Sequence, residues 1–193
     1  MAYCTLADIK SYLSISETTD DALIEQAILA AKNAIDNSCR GIAFDVTVDS
    51  TRYFSSDSNL ICGRALHLGR EMLAAPATTV TVGGTDVTSA VKVYGMPPYW
   101  QLVLSGTSGY SWYDHGTLDP EDAISITGKW GYSSTPPAAV KQAAIIWAAH
   151  FYQIKDAAPD GNIALNTLGT QQPVQSMPSN VVTLLTPIIQ GLF

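Results

Sequence analysis

The sequence predicts an α+β fold: a small helical bundle, made of an N-terminal helical hairpin and a later apolar helix, with an antiparallel β insert and an extended C-terminal arm. Apolar residues recur at helical spacing in the first forty residues and again after residue 136. Between residues 42 and 132 they alternate with polar residues instead, which is typical of strands. We therefore expect the helical core at 1–41 and 136–156, the β-rich insert at 42–135, and the arm, with a short C-terminal helix, at 157–193.

The N-terminal hairpin has recognisable start and stop signals. Thr5 with Asp8 three residues later is a capping-box variant that begins the first helix. After a polar break, Thr19 or Asp20 caps a longer helix, which Arg40-Gly41 closes with a cation and a C-cap glycine. The apolar positions predicted to face the core of that helix are Leu23, Ile24, Ala27, Ile28, Ala31, Ala34 and Ile35.

The β insert is predicted from short alternating runs separated by Gly, Pro and Ser. Gly83-Gly84 supplies the positive φ angles that a two-residue hairpin needs. A small antiparallel sheet or barrel follows from strands at this spacing. The apolar pairs are Val46/Val48, Val80/Val82, Val91/Val93, Leu102/Leu104 and Ile124/Ile126.

The later helix begins after Pro136-Pro137 and is apolar nearly all round. Its main seam is Val140, Ala144, Trp147, Phe151 and Ile154. Such a helix must be covered on more than one face, either by the core of its own chain or by a partner subunit.

The C-terminal region is predicted to be an extended arm. Residues 157–179 contain a single charged residue, Asp160, and three prolines. A short helix follows over residues 181–185, with Pro187 stopping it. Ordering such an arm costs ~1–2 kcal/mol per residue, so we expect it to be mobile in the free subunit and ordered only in an assembly.

Composition excludes several classes of protein. An apolar fraction of 47% in 193 residues excludes intrinsic disorder, and a charged fraction of 14% leaves much of the surface neutral. Seventeen acidic against ten basic residues give a net charge of −7, which disfavours a nucleic-acid-binding protein. No apolar run is long enough for a membrane span, and the first residues lack the features of a secretory signal. Cys4, Cys39 and Cys62 are predicted to be reduced thiols.

Candidate chemistry is sparse, and we predict no catalytic, cofactor-binding or metal site. The three histidines are scattered, without the close ligand spacing of a zinc site. The acidic group Asp114, Asp119, Glu121 and Asp122 is typical of turns, with a weak cation site or a carboxylate pair as alternatives. The aromatic residues Tyr94, Tyr99, Trp100, Tyr110, Trp112 and Tyr113 are interpreted as core or intersubunit packing rather than an exposed platform for sugars or bases.

Five segments, in this order, carry a resemblance to a known family. They are Leu-Ala-Asp-Ile-Lys-Ser-Tyr-Leu13, the helix from Asp20 to Asp36, Ile126-Thr-Gly-Lys-Trp-Gly-Tyr132, the helix from Pro137 to Tyr152, and Pro178-Ser-Asn-Val-Val-Thr-Leu-Leu-Thr-Pro187. Together they resemble the head–tail connector (adaptor, or head-completion) proteins of long-tailed bacteriophages. Two departures, the long arm between Ala157 and Ser179 and the terminal Gly191-Leu-Phe in place of an arginine, concern the docking of the C-terminus.

The resemblance implies a structural virion protein rather than an enzyme, without cofactors. It implies a ring of identical subunits, typically twelve, beneath the portal protein at the head–tail neck. The ring would extend the DNA channel, let genomic DNA pass without specific binding and dock the next tail or stopper protein. Assembly in the host cytoplasm, without a membrane, is expected. The residues predicted to contact neighbouring subunits or the portal are Ile146, Trp147, Phe151, Val181, Leu184, Leu185 and Ile188.

Two alternatives remain open at this point. The chain could be another component of the phage neck, such as a stopper or a tail terminator. Less favoured is a carbohydrate-binding module or hydrolase built on the aromatic-rich β insert.

Overall fold

The chain folds into two units, each with its own set of elements. The structure, a computed structural model, describes residues 2–154, 162–164, 171–173 and 177–191. A helical unit comprises Met1–Ile42 and Pro136–Phe193, and a β unit comprises Ala43–Thr135. The α-helices lie in the helical unit and both four-stranded sheets lie in the β unit, and the predicted α+β class is confirmed.

The helical unit is organised around one central helix. α3 packs against each of the other three helices, and α1 and α2 also contact each other. A pair of antiparallel strands, β9 (Asn162–Ala164) and β10 (Gln171–Pro173), lies between α3 and α4 in the chain. The rest of the predicted arm before Met177 lies outside the described residues. The helices are α1 (Leu6–Leu13), α2 (Asp21–Ser38), α3 (Ala138–Gln153) and α4 (Ser179–Gln190).

The start of α1 is the predicted capping box. The Thr5 hydroxyl oxygen accepts from the Asp8 backbone N–H at 3.2 Å, and the Asp8 carboxylate accepts from the Thr5 backbone N–H at 2.9 Å. The Thr5 backbone N–H, Lys141 Nζ at 3.0 Å and the Thr5 hydroxyl, which donates to the carboxylate at 2.8 Å, favour the ionised carboxylate and hold the pKa of Asp8 below its usual value. Since Lys141 lies on α3, the capping residue also ties α1 to the central helix.

α2 begins after Asp20 as predicted, although Asp20 makes no side-chain cap. Ile24, Ala31 and Ile35 are completely buried, which confirms the helical periodicity. Leu23 is the exception, because 45% of its surface is exposed although the pattern predicts a core position. Its place at the edge of the apolar stripe explains the difference: α3 covers the centre of the stripe and leaves this edge open.

α3 is covered within its own chain. Seven of its sixteen residues are buried, and α1, α2 and α4 supply the covering faces. The sequence left two explanations for the apolar surface of α3, burial in its own chain or burial by a partner subunit. Packing inside the subunit accounts for most of this surface.

α4 is longer than the sequence predicts. It runs to Gln190 and passes through Pro187, the residue predicted to stop it. Proline lacks the N–H that would reach the Thr183 carbonyl, but its φ suits a helix. The turn after it is retained, with the Gly191 N–H donating to the Pro187 carbonyl at 3.2 Å. Ile188 and Ile189, both half-buried, make continuing the helix favourable.

The β unit contains two four-stranded antiparallel sheets. One has the order β1-β8-β4-β5 and the other β2-β3-β7-β6. In the first, Arg52 is opposite Ile126 and Val80 is also opposite Ile126; in the second, Leu66 is opposite Leu102. The strands are β1 (Ser50–Phe54), β2 (Ile61–Cys62), β3 (Ala65–His67), β4 (Thr79–Val82), β5 (Thr85–Asp86), β6 (Val91–Lys92), β7 (Gln101–Leu104) and β8 (Ile124–Gly128).

Three of the five alternating pairs lie wholly in strands, Val91/Val93 lies in part because β6 ends at Lys92, and one pair forms no strand. Gly83 and Gly84, with φ of 57° and 83°, turn β4 into β5 as predicted. The pair Val46/Val48 precedes β1 rather than forming a strand, and Val48 is exposed. The segment is instead held by single bonds, such as that from the Val46 N–H to the Ser133 carbonyl at 3.1 Å.

Candidate subunit and partner interface

The seven residues predicted to contact neighbours lie on two helices that pack against each other, α3 and α4. Three of them are buried inside the helical unit: Trp147, Val181 and Leu185. The other four are half-buried: Ile146, Phe151, Leu184 and Ile188. The free chain therefore already covers part of the predicted interface, and the side chains that remain accessible are the half-buried ones.

The side of α4 turned away from α3 is uncharged. We call Val182, Thr183, Thr186, Pro187 and Gln190 the outer face of α4, since they lie opposite the buried Val181–Leu185 stripe at helical spacing. The hydroxyls of both threonines donate back to helix carbonyls, Thr183 to Ser179 at 3.0 Å and Thr186 to Val182 at 2.7 Å. The outer face of α4 therefore presents a valine, a proline and threonine methyl groups to its surroundings. The protons of both threonine hydroxyls are already in hydrogen bonds within the helix.

A second accessible apolar surface lies between α2 and α3. A cavity of about 250 Å³ opens there, and we call it the α2–α3 groove. One wall is Phe151, whose ring stacks on the buried Trp147 with centroids 5.9 Å apart and an interplanar angle of 15°. The opposite wall includes the exposed Leu23. Its lining residues are Leu23, Gln26, Ala27, Ala30, Phe151 and Tyr152.

Sequence reasoning predicted only Phe151 among the lining residues and missed the other five, Leu23, Gln26, Ala27, Ala30 and Tyr152. Periodicity assigns Leu23 and Ala27 to the core and gives no reason to single out the other three. The signal that the sequence does offer is the run of small residues on α2, Ala27, Ala30 and Ala31, which allows a close approach to the helix backbone.

A polar pocket of about 290 Å³ lies at the turn between α1 and α2. There the Tyr152 hydroxyl donates to Asp20 Oδ2 at 2.5 Å, which ties the end of α3 to the start of α2. Tyr152 also lines the α2–α3 groove, so this bond fixes one wall of the groove.

The aromatic residues of the β unit divide into a buried and an exposed set. Trp112 is completely buried, and its Nε1 donates to the Arg64 carbonyl at 2.7 Å. The packing interpretation thus holds for Trp112. Tyr94, Tyr110 and Tyr113 are exposed, so they do not belong to the core of the single chain, and packing between subunits stays a prediction for them.

The acidic group lies in exposed loops and takes part in turns. Asp114 Oδ1 accepts from the Gly116 N–H at 3.0 Å, and Asp119 precedes a short 3-10 helix over Pro120–Asp122. Among residues 2–154, 162–164, 171–173 and 177–191, no cluster of three histidine, cysteine or acidic side chains is arranged to hold a metal ion.

The three cysteines differ in accessibility. Cys4 and Cys39 are buried, whereas Cys62 is exposed. Burial raises the pKa of the Cys4 thiol to about 11, and the Asp8 carboxylate adds to that rise. Burial likewise raises the pKa of Cys39 to about 11, with a further contribution from Asp36. Neither buried thiol is ionised to a useful extent near neutral pH.

We predict that one thiol per folded chain reacts quickly with an aromatic disulfide reagent. With a pKa about three units above the assay pH of about 8, roughly one in a thousand of each buried thiol is thiolate, the reactive form. The measurement is the release of the reagent's chromophore, with three equivalents expected in concentrated guanidinium. The Cys62→Ser variant should lose the fast phase; a fast phase that survives in this variant would contradict the assignment.

Of the residues that the structure describes, no helix has the length and hydropathy needed to cross a bilayer.

Comparison with known protein families gives a match over the N-terminal part of the chain. A family model described as Phage gp6-like head-tail connector protein matches residues 3–61, about a third of the chain, which includes α1, α2 and β1. A search of curated proteins finds no match. The predicted resemblance to phage head–tail connectors is thereby confirmed over these residues, and the likeness suggests a structural protein of the phage neck.

Proposed function

We propose, on the premise that this chain is similar to the phage gp6-like head–tail connectors, that it forms a ring of identical subunits beneath the portal protein. The observation that carries the proposal is the match over residues 3–61. Those residues include α1 and α2, two of the three helices that cover α3, so the similarity falls on the framework of the helical unit. In this proposal the ring extends the DNA channel and receives the next tail or stopper protein.

The charge balance supports passage of DNA. Seventeen acidic against ten basic residues give the subunit a net charge of −7. A wall rich in lysine and arginine would hold phosphates by releasing their counterions, whereas an acidic subunit favours sliding. The genome would then pass through the ring without specific contacts.

The accessible apolar side chains support contacts with neighbours. Ile146 and Phe151 on α3, and Leu184 and Ile188 on α4, are only half-buried in the free chain. A low charged fraction, 14%, fits a subunit with protein on both sides. Docking to the portal or to adjacent subunits would bury these four residues further, while Trp147, Val181 and Leu185 support them from inside.

Electron microscopy of phage particles tests the proposal. A chain-specific antibody should label the neck, between the head and the tail, in particles whose genome encodes this chain. Mixed with purified portal protein, the chain should add a ring of density below the portal. Genetically matched particles lacking the chain serve as control and should lack both the label and the density.

Other positions of the label would overturn the proposal. Labelling below a first ring would point to a stopper, and labelling where the tail tube begins would point to a tail terminator. Absence of label from the particles would show that the chain is not a component of the virion.

A further inference from the structure

We infer that the outer face of α4 of one subunit docks into the α2–α3 groove of a second copy of this chain. The inference rests on the proposed function, because it supplies the contact from which the ring is built. Both surfaces belong to the helical unit, and both are accessible in the single chain.

The outer face of α4 is suited to burial in an uncharged site. α4 has the sequence SNVVTLLTPIIQ, which contains no charged residue at all. Exposed helix faces in soluble proteins are normally charged, so an uncharged one is a compositional signature of a contact surface. Since Thr183 and Thr186 already donate to carbonyls of their own helix, covering them leaves no hydroxyl proton unpaired.

The α2–α3 groove has matching chemistry. None of its six lining residues is charged, and Leu23, Ala27, Ala30 and Phe151 make it mainly apolar. The small Ala27 and Ala30 let a helix approach α2 closely. Phe151 is held by the Trp147 stack and Tyr152 by its bond to Asp20, so the walls are already in place.

A second copy is the occupant that fits these observations. Three of the four charged residues of α2 form pairs within the subunit, Asp21 with Lys10 at 2.6 Å and Lys32 with Asp36 at 2.8 Å, whereas Glu25 is exposed. A strongly charged partner would therefore find few charges on α2 with which to pair. Another copy of α4 brings an uncharged surface to an uncharged groove.

The geometry requires the contact to be intermolecular. The outer face of α4 points away from α3, while the groove is built partly on α3, so one chain cannot fill its own groove with this face. The two surfaces are not the same, which makes the contact heterologous. A heterologous contact repeats from subunit to subunit and closes into a ring when the rotation allows it.

Paired charge substitutions test the contact. Ala30→Glu places a carboxylate in the groove, and Val182→Lys places an ammonium on the outer face of α4; both positions are exposed, so the fold should tolerate them. Each variant alone should self-associate about 100-fold more weakly than wild type, because a buried charge without a partner loses its hydration. Sedimentation velocity measures the association, and circular dichroism verifies that both variants are folded.

Mixing the variants gives the decisive result. In an equimolar mixture, a groove that carries Ala30→Glu can receive a helix that carries Val182→Lys, and each unchanged groove can receive an unchanged helix, so association should return. A mixture of Ala30→Glu with Val182→Glu is the matched control: its unchanged groove and unchanged helix can still join two chains, but the two carboxylates repel each other, so it should stop at dimers while the rescued mixture forms larger oligomers. Single variants that associate like wild type, a mixture that is not rescued, or a wild-type chain that stays monomeric at about 100 μM would each overturn the inference.

The same variants separate this inference from the proposed function. If antibody labels the neck of particles but the variants associate normally, the contact is wrong and the connector role stands. If the variants behave as expected but no label is found in particles, the contact stands as a self-association surface and the connector role fails.

Discussion

Replacing Trp112 with alanine is expected to destabilise the β unit by about 3–5 kcal/mol, the largest effect we expect from a single substitution. The indole is completely buried among the hydrophobic residues that join the two sheets, including Leu66, Leu104 and Val82. Its removal leaves a cavity and also breaks the 2.7 Å hydrogen bond from Nε1 to the Arg64 carbonyl. That carbonyl keeps a second donor, the Leu104 N–H at 2.9 Å, so the cost comes mainly from lost packing.

Urea denaturation followed by circular dichroism measures this effect. Tyr110→Ala is the matched control, because Tyr110 is an aromatic residue of the same loop region with 45% of its surface exposed, and its loss should cost less than about 0.5 kcal/mol. Equal midpoints for Trp112→Ala and wild type would show that Trp112 is not in the core. That outcome would also reopen the interpretation of Trp112 as part of a sugar-binding platform.

Regular periodicity made most of the fold predictable. The i, i+3, i+4 pattern locates α2 because α3 covers nearly the whole apolar stripe, and alternation locates β4, β7 and β8 because one side of each strand is buried. The Thr5–Asp8 capping box is local chemistry, so it needs no tertiary information. Where residues close in sequence decide the conformation, the sequence alone is enough to predict it.

Predictions failed where tertiary contacts decide. Val46 and Val48 alternate like a strand, but within the described residues no strand pairs with them, and β1 starts only at Ser50. Pro187 normally ends a helix, yet α4 continues to Gln190, and the half-buried Ile188 and Ile189 favour this last turn. Leu23 has the spacing of a core residue and lies at the open edge of its helix. None of these outcomes is encoded in the local pattern.

The candidate interface was predicted only in part, because tertiary contacts also decide which apolar side chains stay accessible. Hydrophobicity identifies α3 and α4 as contact helices, but it does not distinguish a side chain that contacts its own chain from one that contacts a partner. Val181 and Leu185 are strongly apolar positions of the C-terminal segment, and both pack on α3. The uncharged outer face, made of Val182, threonines, Pro187 and Gln190, carries a weaker hydropathy signal and is the part left for other molecules.

Leu185→Ala is accordingly expected to destabilise the free helical unit by about 2–5 kcal/mol. The leucine side chain has no exposed surface, and it lies with Val181 in the stripe that faces α3. This result differs from the expectation that the C-terminal region is ordered only in the assembly. If α4 were unpacked in the free subunit, the substitution would leave the stability of the isolated chain unchanged and weaken only its binding to partners.

Thermal unfolding of the isolated chain, together with hydrogen exchange of the α4 amides, distinguishes these possibilities. Val182→Ala is the matched control: it removes apolar atoms from a residue on the exposed side of the same helix, and should change stability by less than about 0.5 kcal/mol. In self-association assays Val182→Ala should have the larger effect and Leu185→Ala the smaller one, because Val182 lies on the outer face of α4 and Leu185 does not. If the Leu185→Ala chain is as stable as wild type and its α4 amides are unprotected, then α4 is not packed in the free subunit and folds only on its partner.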